Sequence, residues 1–180
     1  MARLKLATVW LAGCSGCHMS FLDLDEWLID LAARADIVYS PIIDQKEYPH
    51  GVDVVLVEGA VANEDNLHQI KIVRERSKVV VSFGDCAVTG NVTALRNPVA
   101  SADEVLRRAY IDKGDENAQI PSARPTLPML FDRVRPVHEL VPVDYYIPGC
   151  PPPAARIRAV LEALIAGQTP HLEGSEIRFG

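Results

Sequence analysis

Short apolar runs alternate along this chain with stretches of helical spacing. Leu4, Leu6, Val9, Trp10 and Leu11 form the first run, over residues 3–12, which ends at Gly13 and reads as a buried strand. Phe21, Leu24, Trp27, Leu28 and Leu31 then recur at helical spacing, with Asp23, Asp25, Glu26 and Asp30 left for the wet side. That pattern predicts one helix after Cys17. Residues 35–41 and 52–57 read as strands, the second nearly continuous in the manner of a parallel strand buried on both faces. Leu67, Ile70 and Val73 predict a helix over 63–75, and Lys78 to Phe83 is another strand of the buried kind. Ser101-Ala-Asp-Glu104 matches a capping box and predicts a helix to about Tyr110. Tyr145 to Ile147 supplies a last short strand, and Pro153 to Ala166 a helix with proline at its start and Gly167 past its end.

Strand and helix in alternation imply an α/β fold, a doubly wound flavodoxin-like parallel sheet with helices on both faces. The expected unit is a single domain over residues 1–180, with a short C-terminal tail over 168–180. Residues 112–143 break the alternation. Nine of the thirteen prolines fall between Pro121 and Pro153, so this stretch is expected to be irregular chain.

Composition narrows the function classes. A chain of 180 residues buries enough surface to fold without disulfides or a structural metal. The formal charge of -6 and the lack of a dense Lys/Arg cluster argue against a nucleic-acid or anionic-membrane surface. The start imitates a signal sequence, basic and then apolar, ending in Leu11-Ala-Gly-Cys14. Thirteen residues before Cys14 fall short of the roughly 15 to 30 of a secretory signal, so a first strand is the expected reading. No segment reaches the roughly 18 apolar residues of a membrane span.

The four cysteines carry the chemistry. Cys14 and Cys17 follow the first predicted strand, Cys86 follows Phe83-Gly-Asp, and Cys150 follows Tyr146-Ile-Pro-Gly. In an open parallel sheet the C-terminal strand ends share one edge, where ligand sites form, so distant cysteines can converge there. A thioredoxin-like redox pair would use Cys14 and Cys17 and leave Cys86 and Cys150 without a role. A zinc site would use all four, although zinc ribbons usually have two close pairs and here one occurs. An iron-sulfur cluster needs more widely splayed thiolates. Gly13, Gly16, Gly84, Gly149 and Pro151 stand close to the cysteines; glycine lets backbone approach inorganic sulfide, and proline fixes ligand direction. These neighbours favour the cluster, while spacing alone leaves zinc and buried free thiols open.

Gly13-Cys-Ser-Gly-Cys17, Leu56-Val-Glu-Gly59, Phe83-Gly-Asp-Cys86 and Pro148-Gly-Cys-Pro-Pro152, in this order, resemble the small subunit of nickel-iron hydrogenases. The resemblance runs from about residue 3 to residue 167 and is nearest to the cytoplasmic NAD-reducing branch. It implies that Cys14, Cys17, Cys86 and Cys150 hold one 4Fe-4S cluster, proximal to a nickel-iron centre in a separate large subunit. It also implies an electron-transfer role, no catalytic residue on this chain, and a diaphorase of flavin and iron-sulfur subunits that reduces NAD(P). The resemblance allows FMN in the complex and assigns none to this chain. Two departures stand out. Met19 occupies a position where many small subunits have glutamate, and this chain has no fifth cysteine for a further cluster. The quinone-proximal cluster subunit of respiratory complex I shares the Glu-Gly and Pro-Gly-Cys-Pro features, but usually has adjacent cysteines where Ser15-Gly16 intervene here. A flavin-binding flavodoxin-like module with a structural zinc is the alternative from another class.

Glu58 and Asp85 are expected to serve as cap or loop hydrogen-bond acceptors rather than functional groups. His18 and His138 read as surface or interface groups, and Trp10 and Trp27 as core. The proline-rich stretch from Pro121 to Pro142 is a candidate for part of a partner contact.

Overall fold

The computed structural model describes residues 3–179; Met1, Ala2 and Gly180, which the expected unit over 1–180 includes, lie outside them. Five strands make one parallel sheet: β1 (Leu4–Trp10), β2 (Ala35–Tyr39), β3 (Val52–Glu58), β5 (Ser77–Phe83) and β7 (Tyr145–Ile147), in the order β2-β1-β3-β5-β7. Among these five strands that is a 2-1-3-4-5 order, the flavodoxin-like arrangement. The expected fold class holds.

Alternation along each strand divides the core into two layers. Leu6, Val54, Leu56, Val81, Phe83 and Ile147 face one side, against Phe21 of α1 (Gly16–Leu22), Trp27 and Leu31 of α2 (Trp27–Arg34), and Ile157, Val160 and Leu161 of α7 (Ala154–Ile165). Ala7, Val9, Val55, Val57 and Val80 face the other side, against Ile70 and Val73 of α3 (Glu64–Arg76) and Ala87 of α4 (Asp85–Thr89). Strands that are apolar on both faces follow from a sheet covered on both sides. Each large aliphatic side chain so buried contributes about 1.5–3 kcal/mol.

Several expectations are corrected. The single helix predicted after Cys17 is two, α1 and α2. The break falls at Asp23–Glu26, where Asp25 has φ 48° and the amides of Leu24 and Asp25 bond three residues back, to Phe21 and Leu22. Leu24 still reaches the core, which is why the apolar spacing survives across the turn. The stretch over 112–143 is not wholly irregular: β6 (Leu130–Arg135) pairs antiparallel with β4 (Val61–Asn63) in a separate two-stranded sheet. Neither strand has an apolar run of its own, since β6 reads Leu-Phe-Asp-Arg-Val-Arg. Between Lys113 and Met129 the chain does lack helix and strand. Two short helices, α4 and α5 (Asn91–Ala94), follow β5 without having been expected.

The capping box at Ser101 forms with both of its bonds and opens α6 (Ala102–Arg107), which runs on into a π-helical turn over Arg108–Asp112. Trp27 is core, 5% exposed, but Trp10 is 45% exposed. It closes β1 at the sheet edge, where its indole N–H donates to Gly13 O at 3.1 Å, so the ring lies over the following turn.

Candidate metal centre

The loops leaving β1, β5 and β7 bring the cysteines together. Cys14, Cys17, Cys86 and Cys150 line one cavity of about 80 Å³, together with Gly16, Glu58, Asp85, Gly149 and Pro151. None of the four is in a disulfide; Cys14 and Cys150 are exposed, Cys86 is half-buried and Cys17 is buried. Among the described residues, no three His, Cys, Asp or Glu side chains are gathered as a single metal ion needs. The sulfurs stand around the cavity instead of meeting at a point.

Glycine shapes this cradle. An ideal Cβ on Gly84 would lie 2.1 Å from Cys17 Sγ, and Gly84 has φ 83°; a side chain there would need both the sulfur's space and a left-handed backbone. A Cβ on Gly16 would lie 3.2 Å from Cys14 Sγ, and the Gly16 amide already points at that sulfur from 3.4 Å. Such amide contacts are among the levers that set the electronics of cysteine-held iron. The donor set and the cradle fit a cysteine-ligated cluster.

The thiols also repel one another's charge. Burial, followed by the nearby Glu58 carboxylate and the other three cysteines, pushes the Cys17 thiol far above its ordinary range. Burial and then Cys14 and Cys150 push Cys86 up as well. Four thiolates beside a carboxylate in a half-buried pocket call for positive charge, which bound iron would supply.

Glu58 and His18 define the floor. Glu58, at the end of β3 and 1% exposed, accepts the backbone N–H of His18 at 3.0 Å and is also hydrogen bonded to the His18 ring Nδ1. His18 Nε2 contacts Thr8 Oγ1 at 3.0 Å, and Thr8 in turn contacts Ser40 at 2.9 Å. His18 is therefore 9% exposed and buried, not a surface group as expected. Its partner comes from a strand forty residues away, which adjacency to Cys17 does not reveal. The carboxylate serves as a hydrogen-bond acceptor for the start of α1, the reading expected of Glu58. Asp85 behaves likewise, accepting Gly149 N–H at 2.6 Å. His138 is exposed and stacks edge-on with Tyr146.

Sequence reasoning missed what holds the Cys150 turn. Ser20 Oγ of α1 donates to Pro152 O at 2.5 Å, and the amides of Gly84 and Asp85 donate to Ile147 O and Gly149 O at 2.8 and 2.9 Å. Ser20 has no distinguishing neighbour in the sequence, whereas Asp85, beside Cys86, does.

A parallel sheet with cysteines converging on one strand-end edge defines an α/β protein built around a thiol site. The sequence pattern of the NADH ubiquinone oxidoreductase 20 kDa subunit family matches residues 14–164, and the chain belongs to that family. It is 42% identical over 170 residues to a subunit of the vhu F420-non-reducing hydrogenase of Methanocaldococcus jannaschii, covering 93% of this chain and 58% of that subunit. This chain thus spans little more than half the length of that relative. It is 37% identical to the delta subunit of the NAD-reducing hydrogenase HoxS of Cupriavidus necator, covering 98% of this chain and 86% of that one. A chain of the crystal structure of an NAD+-reducing NiFe-hydrogenase in the H2-reduced state superposes with TM-score 0.95 at 36% identity, over 99% of this chain and 100% of that one. A NiFeSe-hydrogenase chain from Dm. baculatum, at 16% identity and TM-score 0.62 over 98% of this chain and 69% of that one, shares the fold. Among the described residues, no helix is long and apolar enough to cross a membrane.

Proposed function

We propose that this chain is the electron-transfer small subunit of a nickel-iron hydrogenase, holding one 4Fe-4S cluster through Cys14, Cys17, Cys86 and Cys150. The observation that carries the reading is that four thiols from three strand ends line one cavity, in a chain whose relatives are hydrogenase subunits. When bound, such a cluster supplies a one-electron relay through its delocalised iron-sulfide core. This chain's residues then have three tasks. The cysteines hold the group, the amides and glycines around them let it approach, and Glu58 and Asp85 fix the loops that present them.

The NAD-linked form is supported by the likeness to HoxS delta and to the NAD+-reducing enzyme; our reading extends it to a cytoplasmic complex with a nickel-iron large subunit on one side and a diaphorase on the other. The proline-rich stretch over 121–142 is our candidate for part of the partner contact. The family's description also favours a second reading, the quinone-proximal subunit of complex I. Against it, Ser15 and Gly16 separate the first two cysteines.

Metal and sulfide analysis of the anaerobically isolated complex tests the proposal. About four iron and four labile sulfide per chain are expected, with nickel in a larger co-purifying subunit. Stoichiometric zinc without sulfide would overturn the cluster, and a nickel-free complex that reduces quinone would move the chain to the second reading.

A further inference from the structure

The backbone carbonyls of the turn that carries Cys150 are accounted for almost one by one. Ile147 O, Gly149 O and Pro152 O are taken by Gly84, Asp85 and Ser20, all from elements around the cysteine cavity. Pro148 O is taken by the Arg156 guanidinium. The same guanidinium reaches the other way, donating to Ser175 O at 2.9 Å and to Arg178 O at 3.2 Å. Those two carbonyls belong to a short 3-10 turn over Gly174–Ile177 and the residue after it, beyond the residues that match the family pattern.

The placement is unusual for an arginine. Arg156 lies in the first turn of α7, whose first turn holds no acidic residue; the amide dipoles there disfavour a cation. Three carbonyl acceptors offset that penalty. Guanidinium is suited to the task because its planar fork offers five donors in fixed directions, which an ammonium does not.

We infer that Arg156 is a positioning residue, which clamps the C-terminal segment Ser175–Arg178 to the turn that presents Cys150 and holds its positive charge against Pro148 O, two residues before that cysteine. The effect on the cluster rests on the function proposed above; the clamp itself does not. Two consequences follow. The turn should hold its ligand less firmly without the clamp, and a cation fixed two residues from a ligand of a negatively charged group should favour that group's reduced form.

The test compares the native complex, prepared anaerobically, with Arg156→Met, Arg156→Lys and a chain lacking residues 174–180. Arg156→Met should lose iron to a chelator about tenfold faster, the scale typical of removing an outer partner of a ligand. It should also be cut by protease within residues 168–178 and titrate at a more negative midpoint potential. Arg156→Lys should keep the potential near wild type, because the charge remains, while its tail becomes protease-sensitive. The deletion should speed iron loss with the potential little changed. Wild-type iron loss and potential in Arg156→Met would overturn the inference, as would wild-type iron retention in the deletion. If the wild-type complex holds no iron, the proposed function fails instead, and tail cleavage in Arg156→Met still decides the clamp.

Discussion

Gly84 and Cys17 share one volume: a Cβ at position 84 would sit 2.1 Å from the Cys17 sulfur. The left-handed backbone at residue 84, φ 83°, adds a second reason for glycine. Gly84→Ala should therefore displace Cys17 and cost on the order of 3 kcal/mol, from overpacking and from a positive φ on a residue with a β-carbon. Chemical denaturation reads the stability, and iron content reads the displacement. Full iron occupancy in this variant would show that the sulfur has room to move.

The four cysteines should be equivalent in consequence although they differ in exposure. Cys86→Ser and Cys150→Ser are expected to abolish the signal of the proposed cluster as fully as Cys14→Ser, because all four cysteines line one cavity and each is one of the four proposed ligands. Electron paramagnetic resonance of the reduced complexes checks this. A normal signal from Cys150→Ser would remove that residue from the site.

Removing Glu58 leaves two buried donors of His18 without their acceptor. Glu58→Ala is expected to destabilise the fold by about 1–3 kcal/mol, and His18→Ala, which leaves Glu58 buried beside the thiols, by a similar amount. In a double-mutant cycle the two losses should be strongly non-additive. Additive losses would show that the pair is not coupled.

Tyr48 supplies a pH-dependent handle away from the cysteine cavity. Burial pushes its phenol up to about 12, and its hydrogen bond to Ser77 offsets part of that rise. The unfolded phenol titrates near 10. The folded state therefore binds the proton more tightly, and the resulting stability is fully present below about pH 10 and lost as pH rises towards about 12. Tyr48→Phe should flatten this part of the stability curve between those limits. The comparison is made by urea denaturation at a series of alkaline pH values.

How far the sequence could be read depended on how local each signal was. The strands from Leu4, Val52 and Ser77 and the helix from Ala154 all announce themselves by runs or periods within their own length. The convergence of Cys14, Cys86 and Cys150 was legible because strand ends in a parallel sheet share an edge, a rule that needs no contact map. Pairings with no local trace stayed hidden. Val61 meets Arg135 across a two-stranded sheet, and His18 meets Glu58 below the cavity, neither marked by a pattern near it. Trp10 misleads because an aromatic in an apolar run suggests a core, whereas its position at the strand's end leaves it half outside.

The spread of the cysteines along the chain also sets an order in biosynthesis. Cys14 and Cys17 leave the ribosome early, but Cys150 is presented only after β7, the last strand of the sheet, pairs with β5. The thiol quartet cannot exist on a nascent chain that ends before that strand, however well its first half has folded. Assembly of the proposed cluster therefore follows synthesis through residue 150, and a ribosome stalled before it would display three thiols with no fourth to close the set.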